Sequence, residues 1–134
     1  MSSNPFEGFT VVAYTRAQAV ADGEQILLEG EFGQIAKDLG FVTPVYITRL
    51  ALCDAVNWRS EGHGQSETGR LHDVLSVLRM AIRMSPAGSR RIMFKVQVVQ
   101  TDGSSVTKTL YAEMGPADID DPSPAMTIMV GDDL

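Results

Sequence analysis

The hydrophobic and polar positions change period along this chain, and the change divides it into a helical first part and a stranded last part. In "EFGQIAKDL", residues 31–39, Phe32, Ile35, Ala36 and Leu39 fall at i, i+3, i+4 and i+7, the spacing of an amphipathic helix. Gly40 supplies a left-handed stop, and Phe41 can pack back onto that helix. Thr43 and Pro44 then read as the cap and first position of a second helix. Residues 44–58 are apolar almost all round, so this helix is expected to be largely buried. Residues 59–69, "RSEGHGQSETG", are a polar, glycine-containing loop. Residues 70–85 give the strongest helix. Ser66 or Thr68 can cap it, Leu71, Val74, Leu75, Leu78 and Ile82 line its core face, and Ser85-Pro86 ends it. From residue 92 the period becomes two. Ile92, Phe94, Val96 and Val98, then Val106, Lys108, Leu110 and Ala112, alternate with their neighbours on either side of "TDGSS", as in a β-hairpin.

Shorter segments fill in the rest. "FTVVAY", residues 9–14, reads as a strand, and "EQILLEG" contains another. Between them Thr15 and Gln18 form a capping-box pair, and Gly23 suits the stop of a short helix. "GPADIDDPSP" reads as a Pro- and Asp-rich loop and "AMTIMV" as a last strand. Helices first and a meander later predict a single α+β domain over residues 1–134. It has two layers, with three to four helices on one face of a mainly antiparallel sheet. Its ends, residues 1–8 and 131–134, are expected to be loosely ordered.

Composition narrows the class. The chain has 134 residues, 44% of them hydrophobic, enough for one core. No apolar run reaches the length of a membrane span, and "MSSNPFEGF" lacks the pattern of a signal peptide. Cys53 is the only cysteine, so no internal disulfide forms, in keeping with a cytoplasmic location. The net charge of −6 is unevenly laid out: residues 1–48 carry −4, residues 49–95 carry +4 and residues 96–134 carry −6. The overall acidity argues against general nucleic-acid binding.

Candidate chemistry is sparse. Cys53, His72 and Asp73, with His63, are the only set with catalytic potential. Cys53 sits in the apolar 44–58 run, where a buried, inert thiol is expected. His63 and His72 match no zinc or iron spacing. Asp118, Asp120 and Asp121 resemble a calcium loop only in part, lacking its central glycine and terminal glutamate. No metal site and no cofactor are expected. Arg79, Arg83, Arg90 and Arg91 are either helix-end and strand-edge charges or a joint anion-facing cluster. Val77, Met80 and Met84 form a second apolar strip on the 70–85 helix. It either packs against the 44–58 helix or forms a partner or self-association surface with Arg79 and Arg83 as its rim.

Three stretches carry a family resemblance. Tyr14, Thr15, Arg16, Ala19, Asp22 and Gly23 fit Y-[ST]-R-x-x-A-x-x-D-G. Pro44, Val45, Ile47, Thr48 and Arg49, followed by Trp58, fit P-V-x-[IL]-T-R and a tryptophan. Gly69, Arg70, Leu71, Asp73, Val74 and Leu75 fit G-R-L-x-D-[VL]-L. Together they resemble an uncharacterised bacterial family, a domain of unknown function often encoded on plasmids and other mobile elements. Glu24-Gln25 departs from the apolar continuation of that pattern. The resemblance implies context and fold, and no catalytic residue. The leading expectation is a non-enzymatic, soluble protein-interaction or accessory protein, with an unknown protein partner or a homodimer. The alternatives are a small enzyme using His72 with Cys53 or Asp73, and a regulator that contacts nucleic acid through its arginines.

Overall fold

The period-two segments build most of the sheet. A computed structural model of the chain describes residues 14–60 and 63–134. The expected strand at residues 9–14 lies outside these but for Tyr14, which is in no strand. β1 (Gln25–Leu27) and β2 (Val45–Thr48) are short, whereas β3 (Arg91–Val99), β4 (Ser105–Asp118) and β5 (Asp121–Val130) are long. Their order across the sheet is β1-β2-β5-β4-β3. β2 lies parallel to β5, and the other three pairings are antiparallel. Phe94, Val96 and Val98 are buried while Met93, Lys95 and Gln97 are exposed, so the pleat of β3 turns one face to the core.

α1 (Arg16–Ala21), α2 (Gly30–Asp38), α3 (Arg49–Ala55) and α4 (Glu67–Met84) complete a two-layer α+β domain. α4 provides the largest apolar face. Leu71, Val74, Leu75 and Leu78 are buried, and half-buried Ile82 packs beside them. They meet Phe94, Val96 and Leu110 from the sheet and Ala36 from α2 in one continuous core. Ser66 caps α4, accepting from the Gly69 amide, so the helix begins at Glu67, earlier than its apolar pattern does. α2 ends as expected. Gly40 takes φ +92°, and the amides of Gly40 and Phe41 donate to the Lys37 and Ala36 carbonyls. α1 has the expected Thr15–Gln18 capping box. It lies over the sheet face opposite the core, where Arg16 reaches Gln25 and Thr127.

Two segments differ from their sequence patterns. The apolar run 44–58 is not one helix. Residues 45–48 are β2, and Thr48, not Thr43, caps the helix that follows by accepting from the Ala51 amide. Val45, Tyr46, Ile47 and Thr48 are β-branched or aromatic, and a short apolar run of this kind does not reveal its period. α3 turns Ala51 and Ala55 to the core, small enough for close packing on the sheet. "GPADIDDPSP" is not a loop either. β4 runs to Asp118 and β5 starts at Asp121, so the segment is the end of a β-hairpin with Pro116 opposite Pro124. A proline pair has no N–H to exchange across the ladder, so both prolines occupy positions whose amide nitrogens point outward. The last residues are also organised. Gly131–Asp133 form a 3₁₀ turn, and Asp133 accepts from the Thr48 hydroxyl (2.6 Å) and the Val130 amide (2.8 Å).

Candidate functional site

The residues with catalytic potential do not converge. Cys53 is exposed, which corrects its expected burial: on α3 it faces away from Ala51 and Ala55 and meets Asn57, whose amide nitrogen is 3.6 Å from Sγ. His72 is exposed on α4 and lies 3.4 Å from the Ser76 hydroxyl. Asp73 is also exposed. His63 is elsewhere, with φ +57°. It stands edge-on to Trp58 and close over Gly103, where an added Cβ would lie 2.8 Å from the imidazole. No group of three His, Cys, Asp or Glu among the described residues is placed to hold a metal ion.

The aspartates of the hairpin end are occupied by the fold. Asp118 accepts from the backbone amides of Arg16 (3.1 Å), Ala17 (3.0 Å) and Ile119 (2.8 Å), which fastens the hairpin to the start of α1. These amides and the Arg16 charge hold its carboxyl below the ordinary range. Asp121 accepts from the Ser123 hydroxyl and amide, which lower it in the same way.

Two arginines act as struts; both stand in the family-like motifs, which do not reveal that role. Arg16 donates to the Ala117 carbonyl, Gln25 and Thr127, and its guanidinium lies 4.2 Å from the Tyr46 ring centre. Arg70 is buried. It donates to the Val56 and Val99 carbonyls, each at 2.9 Å, and to Gln65, and lies 5.0 Å from the Trp58 ring centre. It thereby ties the end of α3 to the end of β3. Burial pushes its affinity for the proton down, and Glu67 and Asp73 oppose that shift. Its acceptors are backbone carbonyls distant in sequence, which a residue pattern cannot reveal.

The four arginines of the expected anion-facing cluster divide into separate settings. Arg91 pairs across the strands with Glu113 (2.6 Å), and Arg90 is exposed at the entry to β3. Arg79 and Arg83 border a cleft of about 310 Å³ between α4 and the end of α2. Leu39, Gly40, Phe41 and Ile82 form the rest of its wall. Neither Arg79 nor Arg83 forms an ion pair among the described residues. At 100° per residue, Arg79 and Arg83 lie 60° and 100° from Ile82 on α4, and Met80 and Met84 lie beyond them. Met80 is 59% exposed and Met84 82%, so these two do not pack against residues 44–58, whereas Val77 is half-buried against the core. Val42, next to Phe41, is 96% exposed. Among the described residues the result is an apolar cleft, a rim of two unpaired cations and a ridge of two methionines. The sequence displays each half, but not that residues 39–42 and 79–84 meet.

No family model matches the chain, and neither a curated protein nor a solved structure does. The site is therefore read from its own geometry.

Proposed function

We propose that this domain is a non-enzymatic protein-interaction module, and that the α2–α4 cleft with its methionine ridge is the surface that engages the partner. The observation that carries the reading is the apolar wall of Leu39, Phe41 and Ile82 bordered by Arg79 and Arg83, which form no ion pair among the described residues. Arginine, methionine and aromatic residues are the types enriched at protein interfaces. Flexible methionine side chains adapt to a partner, and contiguous exposed apolar surface marks contact sites. The cations select a segment with carboxylates beside an apolar side chain. The motif resemblance adds the context of an accessory protein of a bacterial mobile element. A photo-crosslinking amino acid at Met84, and a control at Thr107 on the far face of the sheet, test the reading in producing cells. Protein adducts are expected from position 84 and not from 107. Equal labelling at both positions, or none at 84, refutes it.

A further inference from the structure

We infer that the segment entering this cleft is the end of the β4–β5 hairpin of a second copy, in a reciprocal two-fold dimer. The inference rests on the reading of the cleft as an interaction surface and names its occupant. β3 begins opposite Glu113, and β2 begins opposite Met126. Beyond Met114 and Met126, β4 and β5 have only each other as strand neighbours among the described residues, so the hairpin overhangs the described sheet by about 13 Å at roughly 3.3 Å per residue. This arm is not built to extend a sheet. Pro116 and Pro124 remove an outward donor from each of its edges. What it offers is its end. Ile119 is 61% exposed and is flanked by Asp118, Asp120 and Asp121. Asp118 is held by α1 and Asp121 by Ser123, whereas Asp120 accepts no hydrogen bond among the described residues.

An apolar side chain beside a free carboxylate complements an apolar cleft beside two unpaired guanidiniums. The two features also lie at the same end of the molecule. Leu39–Phe41 end α2 shortly before β2, Arg79–Arg83 lie in the last turns of α4, the element before β3, and the arm projects past the starts of both strands. Two copies facing each other at that end can each offer an arm and receive one, which closes the assembly without leaving a free site.

Sedimentation equilibrium of the full chain, between about 1 and 100 µM, the range of a modest interface, tests this with two charge-reversed variants. All substituted positions are exposed, and thermal melting followed by circular dichroism checks that each variant folds. Wild type is expected to dimerise, with Ile119→Ser weakening the dimer by about tenfold or more, as loss of an apolar anchor does. Arg79→Glu/Arg83→Glu alone and Asp120→Lys alone are expected to be monomeric, because each opposes like charges at both contacts. Their equimolar mixture should regain a dimer containing one of each. A wild type that stays monomeric, a dimer indifferent to these changes, or a mixture that stays monomeric overturns the inference. If wild type is monomeric while position 84 still cross-links to another protein, the arm is wrong and the interaction reading stands. If tip and cleft do dimerise but position 84 captures nothing, the arm is right and the methionine ridge is no part of the contact.

Discussion

A buried arginine without a carboxylate partner is the least expected residue in this fold, because burial normally requires a charge to be matched. Arg70 is matched by carbonyl dipoles instead, and its removal leaves the Val56 and Val99 oxygens without donors. Arg70→Ala should lower the unfolding free energy by about 3 kcal/mol or more, since each orphaned acceptor costs about 1–3 kcal/mol. Arg79→Ala, at an exposed site, should stay within about 0.5 kcal/mol of wild type in the same urea titration. Asp118 gives a pH signature. Its folded-state value lies below the ordinary 3.8, so its contribution is fully present above that value and is lost as the pH falls through the lower folded value. Asp118→Asn should therefore flatten the acid limb of the stability profile, most clearly below about pH 4; an unchanged limb would show that other carboxylates dominate it. Cys53 is an exposed thiol, so a disulfide reagent should titrate one thiol per native chain without denaturant. Its apolar neighbourhood in sequence implies burial but does not show which side of the short helix α3 meets the sheet.

At the scale of elements, the parts with a sustained period were legible and the short ones were not. α4 and the β3–β4 pair declare themselves over many residues, and the α2 stop needs only Gly40 and the apolar residue after it. β2 has four residues, too few to show an alternation, and Thr43-Pro44 imitates the helix start that Thr48 supplies. Thr48 joins three elements: it ends β2, caps α3 and donates to Asp133 in the final turn. Thr48→Ala should cost about 1–2 kcal/mol from the lost cap, and nuclear magnetic resonance should show the Gly131–Asp133 turn loosening with it. Leu75, buried at the centre of α4, should cost about 2–5 kcal/mol as Leu75→Ala; an unchanged urea midpoint would contradict its place in the core. The prolines of the arm explain why its sequence reads as a loop. The rule that proline breaks strands holds for paired interior positions, and these positions face outward.

At the scale of the whole molecule, charge and topology tell different parts of the story. The +4 middle segment and the −6 final segment meet at β3 and β4, where Arg91 and Glu113 pair, but Arg79 and Arg83 have no acidic partner among the described residues. Composition recorded the surplus; only the fold shows that it borders a cleft. The sheet order has its own consequence for the life of the chain in the cell. β5 is last of the strands in sequence yet sits between β2 and β4, and Tyr46 must wait for Thr127 to find its neighbour. At about 5–20 residues per second of synthesis, that wait is roughly 4–16 s. During it the nascent polypeptide carries the apolar side of β2 and the α4 stripe with no completed sheet to cover them. Newly made copies are thus candidates for chaperone protection, and a message interrupted before β5 yields a product for proteolysis, not a smaller working domain.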